Sequence, residues 1–194
     1  MYKRQVWIRN ISNALEKLKN VSELRNAARN IDNMAVRDSL TGVYNRMGIN
    51  RFVVDMVKQA NTSRRRLLFI FADMDGLKKI NDEFGHEAGD QAICLAAEAL
   101  QEAFCEKELI IRYGGDEFLV VSDALCWEQA EEKKAQITAL LKQWQRDEKL
   151  PYRLSMSIGY YQKEPDTEAS MEQYINWADE RMYEMKCKNR EQRK

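Results

Sequence analysis

Apolar residues in the first stretch of the chain recur at steps of three and four: Ile8, Ile11, Leu15, Leu18, Val21, Leu24, Ala28 and Ile31. Residues 6–37 contain no glycine or proline, and charged residues fill the flanks of this narrow seam. The spacing predicts one long helix. The narrow stripe predicts a two-stranded coiled coil, with an amphipathic helix lying on its own domain as the alternative. Two successive three-residue steps, Leu15 to Leu18 to Val21, form a stammer that overwinds a supercoil locally.

The pattern changes at "RDSLTGVYNR" (37–46), where Ser, Thr, Gly and Asn end the helix and predict a linker into a second domain. Beyond it the periodicities predict helices at 46–61, 77–84, 88–104, 127–147 and 170–188, and strands at 67–73, 108–113, 117–122 and 152–161. "LLFIFA" is a continuous apolar run of strand length, expected at the centre of a sheet covered by helices. Residues 152–161 alternate through Leu154, Met156 and Ile158, as a half-buried strand would. The order implies an α/β (α+β) domain with a mostly antiparallel central sheet flanked by helices.

Composition narrows the chemistry. The 194 residues, 44% of them apolar, suffice for one ordinary domain with an appendage. Thirty-one basic residues balance 31 acidic ones, so no global field points to nucleic acid or an anionic membrane. The four cysteines (Cys94, Cys105, Cys126, Cys187) form no CxxC pair and predict reduced thiols in an intracellular setting. With His86 the single histidine, a multi-histidine metal site is excluded. No apolar run reaches membrane-spanning length, so attachment to a membrane is expected only through a region upstream of this sequence.

Two acidic groups remain. Asp73 and Asp75 close the apolar strand two residues apart, on the same side by strand periodicity. "RYGGDEF" (112–118) sets Gly114 and Gly115 against Asp116 and Glu117 in a turn between two strands. If those strands neighbour 67–73, Asp73 and Asp116 converge. Carboxylates without histidine or thiolate suit Mg²⁺, which keeps positions open for water and phosphate. Glycines at 114 and 115 would admit a phosphate close to the backbone. Such an arrangement suits phosphoryl or nucleotidyl transfer.

"RYGGDEF" resembles the name-giving motif of the GGDEF-domain diguanylate cyclases. "DSLTGVYNR" (38–46), "DMDGLKKINDEFGHEAGD" (73–90) and "ADERMYEMKCKNR" (178–190) stand in that family's order. The resemblance covers about residues 37–190 and implies a fold like the nucleotidyl-cyclase and polymerase palm. Joined to the helix read from the apolar seam, it divides the chain into an N-terminal coiled-coil signalling helix (1–37), a catalytic domain (38–190) and a tail (191–194). The implied reaction condenses two GTP molecules into cyclic di-GMP and pyrophosphate for bacterial second-messenger signalling in the cytoplasm. Asp73, the Met74 carbonyl and Asp116 would hold Mg²⁺, two ions per site, with Mn²⁺ an alternative. Asp116 or Glu117 would help deprotonate the attacking ribose hydroxyl. Asn81 and Asp90 resemble the guanine readers, and a carboxylate can accept from guanine N1–H and its amine. His86 falls near the ligand, Lys78 near the phosphates, and Lys186 with Arg190 matches the triphosphate-binding pair.

Two departures qualify the resemblance. Asn189 stands where the family usually has glycine before Arg190. "CEKE" (105–108) replaces the RxxD site through which many members bind their product, so Cys105 and Glu108 imply no strong product inhibition there. Because each domain holds one nucleotide and the product needs two, the resemblance also implies a catalytic homodimer, which a coiled coil would bring together. The rival expectation is a silent GGDEF domain serving as a GTP-binding sensor or dimerisation module.

Overall fold

The computed structural model describes residues 35–104 and 107–191 together with Lys17 and Lys19, without the side chains of 188–191. The chain divides into two compact units, Met1–Arg37 and Asp38–Lys194. The helix and coiled coil expected over 6–37 lie almost wholly outside the described residues.

In the second unit, β1 (Tyr44–Asn45) leads through a π-helical turn (Ile49–Val53) into α1 (Val54–Thr62). Then follow β2 (Leu67–Met74), α2 (Leu77–Phe84), α3 (His86–Ala103), β3 (Leu109–Arg112), β4 (Glu117–Ser122), α4 (Trp127–Asp147), β5 (Met156–Lys163) and α5 (Met171–Glu191). The sheet order is β1-β3-β4-β2-β5, antiparallel except where β1 pairs with β3. The mixed fold with a mostly antiparallel, helix-flanked sheet is therefore present.

β2 is apolar from Leu67 to Ala72 because it is central and both its faces are covered. Leu68, Ile70, Ala72 and Met74 join one core with side chains of α2, α3 and α4. Leu67, Phe69 and Phe71 join a second core with α1 and α5. Each of the larger of these side chains contributes roughly 1.5–3 kcal/mol on burial, so the strand is strongly held on both sides. Its last alternate position on the α5 side is Asp73.

Four features differ from the sequence-based expectation. Residues 37–46 are not a simple linker, because Tyr44 and Asn45 add a parallel strand beside β3. The expected strand 152–161 begins only at Met156 and runs on to Lys163. Tyr152 and Leu154 are buried in the core without joining the ladder, which explains their misleading alternation. The helix expected from 46 begins at Met47 but passes through the π-helical turn at Ile49–Val53, and α3 starts at His86 because Gly85, at φ +88°, turns the chain there.

α5 touches the sheet at Gly159, where a Cβ would lie 2.0 Å from the Met182 backbone nitrogen. Gly159 pairs with Phe71, and Ser157 pairs with Asp73. Two strand residues span about 6.6 Å and four helical residues about 6 Å. The contact at Met182 therefore carries Lys186, one turn further on, alongside Asp73. Gly159→Ala must push α5 off the sheet. It should cost about 3 kcal/mol, measured by urea denaturation; a loss below about 0.5 kcal/mol would show that this close approach is not required.

Candidate active site

The site is assembled by strand register. β4 pairs with β2 so that Asp73 stands opposite Glu117, and the Met74 N–H donates to the Asp116 carbonyl at 3.1 Å. The two acidic groups separated by some forty residues of sequence are thus brought together at one end of the sheet. Asp75 has a different task. Its carboxylate accepts from Ser155 Oγ at 2.8 Å and Ser157 Oγ at 2.7 Å, fastening the end of β2 to the start of β5.

Asp73 is only 7% exposed, and its Oδ1 accepts a hydrogen bond from Lys186 Nζ on α5. Burial pushes the Asp73 carboxyl above its usual range; Lys186 opposes the shift, while Asp116 and Asp75 add to it. Glu117 is raised too, first by burial and then by Asp73, Asp116 and Asp179, again with Lys186 opposing. Asp179 on α5 is raised by burial and by Glu180, with Lys186 opposing once more. Lys186 is thus the shared counter-charge of a cluster with an excess of carboxylates. Sequence reasoning assigned no role to Asp179. Its spacing of seven from Lys186, two turns along one face, was the available signal.

The glycines of the turn do not adopt left-handed backbone. A Cβ on Gly114 would meet Glu117 Oε2 at 2.4 Å, so this glycine leaves room for the Glu117 carboxylate to fold over the turn. Nothing lies within 4 Å of the corresponding position on the exposed Gly115. The Gly115 carbonyl is gripped from behind by Arg112, which donates Nε and Nη2 at 3.1 and 2.8 Å. Arg112 Nη1 reaches Asp38 Oδ1 at 3.0 Å, and Asp38 in turn accepts from the Thr41 N–H and hydroxyl. The segment expected to be a linker therefore braces the acidic turn. Sequence reasoning missed this clasp, because nothing local couples residue 38 to residue 112.

The remaining expected site residues sit on α2 and α3. Asn81 lies directly over Gly89, where a Cβ would fall 1.9 Å from its Oδ1, so Asn81 is held beside Asp90. Asp90 and His86 are exposed on the first turns of α3, and Lys78 is exposed on the first turn of α2. Arg190 belongs to the last turns of α5 and its side chain is not among those described. Cys105 likewise falls outside the described residues. Glu108 is 8% exposed; its Oε1 accepts from Ser122 Oγ at 3.3 Å, and its Oε2 has no partner among the described residues.

Among the described residues, no three Asp, Glu, His or Cys side chains form a ready metal cage. The donor set at the β2–β4 end is nevertheless all oxygen, and several carboxylates there face the single ammonium of Lys186. Both properties fit Mg²⁺.

The family profile "Diguanylate cyclase, GGDEF domain" matches residues 35–192. The chain belongs to the GGDEF-domain family. Over 184 residues, 91% of its length, it is 30% identical to the diguanylate cyclase DgcP of Escherichia coli, spanning 52% of that protein. The bifunctional diguanylate cyclase/cyclic di-GMP phosphodiesterase MucR of Pseudomonas aeruginosa is 31% identical over 169 residues, covering 87% of this chain and 24% of MucR. Among solved structures, the coiled coil and GGDEF domain of DgcB from Caulobacter crescentus, in complex with c-di-GMP, superposes with a TM-score of 0.73. It is 20% identical, with coverage of 90% of this chain and 93% of that one, a likeness of fold. The GGDEF chain thus spans about half or less of these curated relatives. No helix among the described residues is long and apolar enough to cross a membrane.

The clasp behind this GGDEF turn makes a pH-dependent prediction. Burial would raise the Asp38 carboxyl, but Thr41 and Arg112 outweigh it and hold it below its usual range. A lowered folded-state value stabilises above the unfolded value of about 3.9, and that stability is lost as pH falls through the folded value. Asp38→Asn should therefore cost about 2 kcal/mol near neutrality, with the deficit shrinking below about pH 4. Denaturation of both proteins from pH 3 to 7 checks this; a deficit independent of pH would contradict it.

Proposed function

We propose that this domain is a diguanylate cyclase, condensing two GTP molecules into cyclic di-GMP across a homodimer. The observation that carries the reading is the intact set of Asp73 on β2, Gly114, Gly115 and Asp116 in the β3–β4 turn and Glu117 at the start of β4, with Lys186 hydrogen-bonded to Asp73. Membership of the family and the named activities of DgcP and MucR support it.

In this reading Asp73, the Met74 carbonyl and Asp116 hold Mg²⁺, with Lys186 and Arg190 on the triphosphate and Lys78 near it. The cation would neutralise the triphosphate and polarise its α-phosphate. Asn81 and Asp90 read guanine through its N1–H and amine, with His86 at the rim. Gly114 and Gly115 leave the turn's backbone open to phosphate. Glu117, whose proton affinity is raised by burial and by its acidic neighbours, is the better proton acceptor for the ribose 3′-hydroxyl than a carboxylate in water. That hydroxyl oxygen forms a bond to the α-phosphorus of the nucleotide on the facing protomer as the bond to pyrophosphate breaks, once in each direction. Each domain supplies one nucleotide, so alignment of two copies provides the attack geometry.

The test is incubation with GTP and Mg²⁺, followed by chromatography, over a range of protein concentrations. Cyclic di-GMP should form with a specific activity that rises with concentration, and Asp116→Ala should lower it by at least about a hundredfold. A verified dimer that binds GTP yet yields no product would favour the silent sensor instead. That alternative draws on the match to part of NbdA, a cyclic di-GMP phosphodiesterase of Pseudomonas aeruginosa, of which this chain spans 13%.

Feedback is a separate reading. The buried Glu108 carboxylate is turned onto Ser122, which supports a chain without the RxxD-type product site. Added cyclic di-GMP should therefore inhibit only by competing with GTP. Potent noncompetitive inhibition would refute this.

A further inference from the structure

The side chain expected on the triphosphate is committed elsewhere: Lys186 Nζ donates to Asp73 Oδ1, and both side chains are largely buried, at 19% and 10% exposure. A lysine at that oxygen and a divalent cation at the same oxygen exclude each other, by charge and by volume. We infer that Lys186 is an internal counter-ion that competes with the cation for Asp73 and is released to the nucleotide only when metal and triphosphate arrive together. This rests on the metal-dependent reading proposed above, but adds an order of events that the reading does not require.

The physical argument is one of charge. Asp73 stands at the end of a strand whose other residues are buried and apolar, beside Asp116 and Glu117. A buried carboxylate with no partner is costly, so Asp73 needs a cation within the fold. Lys186 provides it, held in reach by the approach of α5 to β5 at Gly159. Its flexible stem and three donors suit exchange between partners better than a planar guanidinium would. Metal alone must expel Lys186 from its hydrogen bond to Asp73 and leave its ammonium beside the ion's own charge, opposed only by the attraction of Glu117 and Asp179. Nucleotide alone must draw Lys186 away and leave Asp73 unpaired. Metal and triphosphate together satisfy both, because the metal takes Asp73 and the phosphates take Lys186. Each ligand thereby removes the other's penalty, which is positive coupling between two binding events.

The coupling yields opposite signs for a single substitution. Mn²⁺ binding, followed by electron paramagnetic resonance of the free ion without nucleotide, should be weak in the wild type. It should be about tenfold tighter in Lys186→Met, since the competing charge is gone. Lys186→Arg, which keeps the charge, should resemble the wild type. A fluorescent GTP analogue with Mn²⁺ should bind Lys186→Met at least about tenfold more weakly.

The reverse arm uses the same analogue in EDTA. Asp73→Asn, which frees Lys186, should bind it several-fold more tightly than the wild type. It should also bind more tightly than Asp116→Asn, which removes a charge without freeing the lysine. Two results overturn the exchange: Mn²⁺ affinity in Lys186→Met equal to or below that of the wild type, or no advantage of Asp73→Asn over Asp116→Asn. If Lys186→Met fails to fold, the Asp73 and Asp116 comparison decides alone. These readouts need no turnover. A failed exchange beside cyclic di-GMP formation by the wild type strikes only this inference, whereas an inverted metal affinity without product strikes the assignment as a cyclase.

Discussion

A carboxylate at the end of a buried strand is the constraint around which this site is organised. Asp73 continues the face that carries Leu67, Phe69 and Phe71, and the same helix that covers those residues supplies Lys186 to it. Packing and electrostatics therefore meet in α5. Its apolar residues Tyr174, Ile175, Ala178 and Met182 hold it to the sheet, and its next turn delivers the counter-charge. The bare backbone of Gly159 sets the depth of that approach.

The acidic turn is positioned by a second device. A turn bearing Asp116 and Glu117 beside Asp73 would tend to splay from mutual repulsion. Its carbonyl at Gly115 is instead held from behind by Arg112, which is anchored to Asp38. Gly114 leaves space for Glu117 to fold inward. The result is a compact acidic group, in which burial raises the Asp73 and Glu117 carboxyls, and which suits a cation.

Much of this was legible in the sequence, for identifiable reasons. β2 was readable because a strand covered on both faces becomes a continuous apolar run, and "RYGGDEF" because its glycines and acids break the surrounding pattern. The convergence of Asp73 with Asp116 was expected only if their strands were neighbours, and register supplied what spacing could not. The strand at 152–161 was misplaced because Tyr152 and Leu154 are buried from a loop, where burial imitates alternation. Residues 37–46 looked like a linker because their role lies in the pairing of Asp38 with Arg112 across 74 positions. The partnership of Lys186 with Asp73 was equally hidden: the spacing of Lys186 from Arg190 marks a helical face, but not what that face meets.

The account stands on carboxylates from β2 and from the β3–β4 turn sharing one cation while Lys186 turns to the phosphates. The most direct measurement is a crystal structure with Mn²⁺ and a non-hydrolysable GTP analogue, using anomalous scattering to locate the ion. The account predicts manganese in contact with both Asp73 and Asp116, and Lys186 Nζ on a phosphate oxygen. Nucleotide bound with Lys186 still on Asp73, and manganese absent from the two carboxylates, would contradict it.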